Sequence, residues 1–214
     1  MKKIILSLFV TATGTLFAQY TAKDVFTSKS MVWYGLNFTE AKMVGMFDQA
    51  MGAGPATAAD LKNKWIPNWN ALIQGEQKNF KIAEAFQKDD IFYDVTPTDK
   101  ANYAINTDEF MSYNHYTFAD PQKSVAKALS NMQGGQKTEG IGVTFVVESF
   151  NKQQDKALVY VTIFDIKTKN ILVLEKIGGK PMGIGLRNFW GGAIKHIIKQ
   201  INEDYYRKWK SLAK

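Results

Sequence analysis

The chain contains no cysteine among its 214 residues. That excludes disulfides, thiolate metal sites, cysteine nucleophiles and a lipid anchor attached through a cysteine. Histidine is nearly absent as well: His115 and His196 are the only two, and no His-x-x-x-His metal pair exists. After residue 18 there is no second long apolar run, so the mature chain is expected to lack a transmembrane span, which needs about 20 residues. The P-loop signature is missing, and Gly183-Ile184-Gly185 lacks the third glycine of the dinucleotide fingerprint. No nucleophile-elbow pattern occurs. Neither a cofactor nor a metal is expected, and no internal repeat or low-complexity tract stands out.

What is present begins with Met1-Lys2-Lys3, then a compact apolar run from Ile4 to Val10 and a small-residue stretch closing on Leu16-Phe17-Ala18. This is the layout of a secretory signal peptide, so residues 1–18 are expected to leave and residues 19–214 to form a single domain in the periplasm or outside the cell. The formal charge of +7 falls by two, to +5, when Lys2 and Lys3 leave. That balance is too small and too scattered to argue for nucleic acid. A hydrophobic content of 45% fits a packed globular core.

Periodicity predicts a first strand over residues 31–36, a helix from Thr57 broken near Lys64 to Ile66 by Pro67, and a second helix capped by Asn79. A short strand follows at residues 91–95. Residues 96–119 have no firm period and read as irregular, with one strand near Tyr103 to Ile105. Asp120-Pro121 starts a helix that Gly134-Gly135 ends. Residues 141–150, 157–166 and 171–177 are β-rich and joined by short polar turns, which predicts a three-stranded antiparallel meander. Trp190, Ile194, Ile198, Ile201, Tyr205 and Trp209 form one stripe of a long last helix, from about residue 189 to 211, docked across the sheet. The expected fold class is α+β with a mostly antiparallel sheet.

Two stretches invite a binding role. Tyr103, Asp108, Tyr113, His115 and Tyr116 sit in an aromatic, polar segment; rings beside carboxylates and amides suit a glycan or peptide ligand. Their plainer reading is cover for the edge of the core. The glycine-rich junction at residues 178–187 leads from a strand into a helix start, where backbone N–H groups with Lys180 and Arg187 could hold an anion. Its plainer reading is a tight connection between strand and helix. Asp89, Asp90 and Asp94 match no calcium loop and read as a solvated turn.

The run from Leu158 to Leu172, with its Asp165-x-Lys167-Thr168 hairpin, precedes a glycine loop and a terminal helix. In this it resembles small secreted proteins of Gram-negative envelopes. It is more distantly similar to the periplasmic domains of the curli-secretion channel lipoprotein and of lipoprotein activators of peptidoglycan synthesis, although the lipidation cysteine of those proteins is absent. The resemblance implies an α+β architecture and a non-catalytic envelope role, and it assigns no site residue. The expected function is therefore an exported, non-enzymatic protein that binds an envelope protein, glycan or peptide. One alternative is a hydrolase of an envelope polymer using His115 with Asp108 or Glu109. Another is an assembly protein whose basic last helix touches a membrane surface.

Overall fold

A computed structural model describes residues 19–49 and 54–213. The expected signal segment, residues 1–18, lies outside the described residues. The first described element is α1 (Ala22–Thr27), whose first turn is closed by reciprocal bonds between Thr21 and Asp24. β1 (Ser30–Asn37) and β2 (Lys42–Val44) follow. A helical crossover holds α2 (Ala58–Asp60), a π turn (Leu61–Trp65), α3 (Ile66–Gly75), α4 (Gln77–Phe80) and α5 (Ile82–Ala85). Next come β3 (Asp90–Tyr93), α6 (Thr96–Tyr103), a 3-10 turn (Thr107–Glu109), β4 (Met111–Ser112) and α7 (Pro121–Ser130). The meander β5 (Ile141–Asn151), β6 (Lys156–Asp165) and β7 (Ile171–Gly179) leads to α8 (Gly185–Gln200), a second π turn (Ile201–Tyr205) and α9 (Tyr206–Leu212).

The seven strands form one sheet. β5 is its spine. One edge of β5 pairs antiparallel with β6 along its whole length, and β6 pairs antiparallel with β7. The other edge is shared end to end: β1 pairs with the first half of β5 and β2 with the last three residues, both parallel. β3 lies parallel outside β1, and β4 parallel outside β2. The architecture is α+β, but the expectation of a mostly antiparallel sheet is wrong. Four of the six pairings are parallel, and the antiparallel part is the meander alone. β2, β3 and β4 are too short to show an alternating pattern, and the helical connections before β3, β4 and β5 return the chain in the same direction. Residues 96–119 are likewise not irregular throughout: they hold α6, the 3-10 turn and β4, and Tyr103 ends a helix rather than starting a strand.

Where β1 gives way to β2, two buried asparagines replace the missing ladder. Asn70 on α3 accepts from the Leu36 N–H at 2.7 Å, and Asn102 on α6 accepts from the Phe38 N–H at 2.7 Å. Both side chains also donate to the Leu36 carbonyl. An interrupted strand would otherwise leave these groups buried and unpaired.

Side chains alternate across the sheet. Trp33, Val143, Phe145, Val159, Val161 and Ile163 face one layer, made with Trp69 of α3 and Trp190, Ile194 and Ile198 of α8. Tyr34, Val146, Tyr160 and Phe164 face the other, covered by Val125, Leu129 and Met132 around α7. Both π turns have legible causes or consequences. The first ends just before Pro67, whose ring would crowd a regular helix; its widened geometry appears in the bond from the Ile66 N–H to the Leu61 carbonyl. The second takes up one extra residue, so Tyr206, not the expected Tyr205, joins Trp190, Ile194, Ile198, Ile201 and Trp209 in the core. Leu212, near the end of the helix, is exposed.

Lys88 is the one buried lysine among the described residues, at 7% exposure. Its ammonium donates to the carbonyls of Val25 and Ser28 at the end of α1 and lies 3.5 Å from the Tyr206 hydroxyl. Burial pushes this amine down from the usual 10.5 to about 8; the charge of Lys210 adds to the shift and Asp89 opposes it. Below about 8 the group is protonated in both the folded and the unfolded chain. Between about 8 and 10.5 the unfolded chain binds more protons, so stability on this account rises with pH. Urea titrations at several pH values should show wild type gaining on Lys88→Met across that window. Parallel curves for the two proteins would mean that the carbonyls fully compensate the buried charge.

Candidate functional site

The site is built where the glycine-rich segment meets α8. A side chain on Gly179 would put its Cβ 2.2 Å from the Ala193 carbonyl oxygen, and one on Gly192 would sit 2.0 Å from that of Met182. Strand end, loop and helix therefore touch backbone to backbone, which only glycine permits. Three bonds fix the contact: the Lys180 N–H donates to His196 Nδ1 at 2.9 Å, the Met182 N–H to the Phe189 carbonyl at 3.1 Å, and Gln200 Nε2 to the Gly178 carbonyl at 2.9 Å.

Across from this loop stand α4 and α5, separated by Lys81 in the left-handed region at φ 50°. Between them and α8 runs a groove of about 780 Å³. Its floor is apolar, from Phe80, Ala85, Pro181 and Ile198, all buried. Its rim carries Lys81, Lys180, Lys195 and Lys199, with His196, Glu84 and Glu203. Lys81 pairs with Glu84 at 3.0 Å, and Lys199 lies 3.7 Å from Glu203. Lys180 and Lys195 have no ion-pair partner among the described residues. Because His196 Nδ1 accepts from the Lys180 N–H, a neutral ring carries its proton on Nε2, a donor with no partner among the described residues. The groove thus offers an apolar bed under two uncompensated ammonium groups and a ring N–H.

No protein-family model matches this chain, and no curated protein matches it either.

The residues singled out from sequence distribute as follows. Lys180 lines the groove; Arg187 does not, and lies 3.8 Å from Glu76. Tyr103 and Tyr113 are exposed, the first with the Lys62 ammonium 5.4 Å from its ring. His115 and Asp108 are exposed, and no hydrogen bond or ion pair among the described residues joins His115 to Asp108 or Glu109. Tyr116 is half-buried; its hydroxyl donates to the Glu40 carbonyl at 3.2 Å and its ring stands edge-on to Phe118. A depression of about 400 Å³ nearby is lined by Thr39, Glu40, Lys100 and Asn106, and by none of these five residues. Asp94 is buried and accepts from the Gln136 N–H, while Asp89 is paired with Lys29, and the described residues contain no cluster able to hold a metal ion. Among them, too, no helix is long and apolar enough to cross a membrane.

Sequence reasoning missed two features. Lys195, His196 and Lys199 read as a solvated helix face, and nothing local ties them to Asn79 through Ala85 on the facing wall. The other is Glu148, fully buried on β5 where the pairing with β6 shifts register between Val147 and Ser149. Its Oε1 accepts from the Thr117 hydroxyl and the Phe118 N–H, both at 2.9 Å, and its Oε2 lies 2.6 Å from the Lys176 ammonium. Tyr160 packs beside it, and burial together with the Glu148 charge pushes that phenol up to about 12. A single carboxylate inside the apolar run 141–150 was the available signal. The cluster clamps the segment at residues 116–118 onto the sheet.

Proposed function

We propose that this chain is an exported binding protein, without catalytic action of its own, whose ligand lies in the groove beside α8. The ligand class is an amphiphile: a carboxylate or phosphate head on an apolar body. The observation that carries the reading is the pairing of an apolar floor with Lys180 and Lys195, two ammonium groups that no carboxylate neutralises among the described residues. Lysines of this kind attract anions without imposing a planar geometry, while the floor accepts hydrocarbon. The leader-like residues 1–18 support placing this activity in the envelope.

Calorimetric titration of residues 19–214 with decanoate tests it. Binding should weaken at least about tenfold, or 1.4 kcal/mol, in Lys180→Gln/Lys195→Gln, and decanol should bind more weakly than decanoate. Absence of decanoate binding to the wild-type chain, or equal affinity in the double variant, would remove the groove reading.

A further inference from the structure

The loop that closes one wall of the groove carries two of the most exposed apolar side chains among the described residues. Ile184 is 93% exposed and Met182 73%. Their exposure is not slack. The Met182 N–H is bonded to the Phe189 carbonyl, and the Met182 carbonyl is seated in the space left by Gly192. Gly183 (φ 128°) and Gly185 (φ 76°) flank Ile184 in conformations that other residues rarely adopt, and Gly183 packs on the backbone of Asn188. The backbone is therefore fixed in a shape that leaves a branched aliphatic side chain in water at the tip.

The ammonium groups of Lys180 and Lys195, without an ion-pair partner among the described residues, share the groove rim with Met182. We infer that the tip at Met182 and Ile184, backed by Lys180 and Lys195, docks on an anionic lipid bilayer: the aliphatic side chains enter the acyl boundary and the lysines meet lipid phosphates.

Shape and charge choose this occupant. Exposed aliphatic side chains beside uncompensated cations match a surface whose apolar interior lies just below an anionic layer. The lysine stems are apolar and their heads charged, so they can sit at headgroup level. A protein partner would more commonly meet a broad patch centred on aromatic or arginine anchors. None of the aromatic residues among the described ones lies on this tip. The inference goes beyond the groove reading, since docking needs no ligand in the groove. If both hold, docking brings the groove mouth against a reservoir of anionic amphiphiles.

Ile184 does not line the groove, which makes it the discriminating position. Residues 19–214 are sedimented with phosphatidylcholine vesicles that contain or lack phosphatidylglycerol, at low and high salt. Wild type should bind only the phosphatidylglycerol vesicles, and more weakly in high salt. Ile184→Asp should reduce that binding about tenfold or more, Ile184→Leu should not, and neither should change decanoate affinity or the thermal midpoint, because the side chain touches nothing that folding buries. Wild type that ignores the phosphatidylglycerol vesicles, Ile184→Asp binding like wild type, or a loss of self-association in Ile184→Asp without vesicle binding would each overturn the inference; the last would assign the tip to a second copy of the chain. Vesicle binding without decanoate binding would leave docking standing and remove the groove reading alone.

Discussion

Replacing Trp190 with alanine is expected to cost about 3–5 kcal/mol, the range for deleting a large aromatic from a packed core. Trp190 is fully buried where α8 crosses the sheet. Its ring stacks on Phe150 at 4.4 Å between centroids and 10° between planes, tilts against Phe47 at 5.5 Å, and meets Phe189 edge-on at 5.5 Å. It therefore joins the end of β5, the segment after β2 and the start of α8 in one contact. The indole N–H has no hydrogen-bond partner among the described residues. Trp190→Phe consequently loses no hydrogen bond and should cost clearly less than Trp190→Ala. Guanidinium unfolding monitored by circular dichroism measures both. A loss below about 1 kcal/mol for the alanine variant would contradict the placement of α8. Equal losses for the two variants would contradict the packing of this ring on Phe150, which a phenyl ring largely keeps.

The second large effect is expected at Lys176. Removing one member of a buried ion pair costs about 3–5 kcal/mol, because the remaining charge stays in a medium that cannot solvate it. Lys176→Met should fall at the low end of that range, since the lysine side chain is 36% exposed while Glu148 is wholly buried. The carboxylate would keep its bonds from Thr117 and Phe118. Adding Glu148→Gln to Lys176→Met should recover more than half of the loss, because the amide oxygen can still accept those two bonds without carrying a charge. Failure of the second substitution to recover stability would mean that packing of the lysine stem on Tyr160, not the ion pair, is what Lys176 contributes; its ammonium is 5.5 Å from that ring.

How far the sequence discloses this protein depends on whether a signal is local. The meander is legible because residues 151–156 and 165–170 are short and polar, leaving antiparallel pairing as the only route between strands. The last helix is legible from its stripe. The parallel half is not, because β2 and β4 are three and two residues long and owe their existence to partners far along the chain. Tyr205 and Tyr206 exchange roles because a π turn is invisible to a period of 3.6. At the candidate site, the glycine-rich junction could be read as a tight connection, and that is what Gly179 and Gly192 make of it. The facing wall could not be foreseen, since it depends on Lys81 turning left-handed between two four-residue helices. The aromatic segment drew notice for its composition, yet its polar excess divides between outward-facing tyrosines and the cover over Glu148.

The π turn at Ile201–Tyr205 also bears on how the chain tolerates changes in length. Because it takes up one surplus residue, the helical faces before and after it remain aligned. Loss of one of its outward positions, Glu203 or Asp204, would let the helix run on in regular form with Tyr206 still against Phe26 and Trp209 still donating to Glu175. The same loss within α8 would turn everything beyond it by about 100° and carry both aromatic residues out of the core. Shortening is thus accommodated at one place along the C-terminal helix and punished elsewhere, and that place decides whether the last helix still closes on the first.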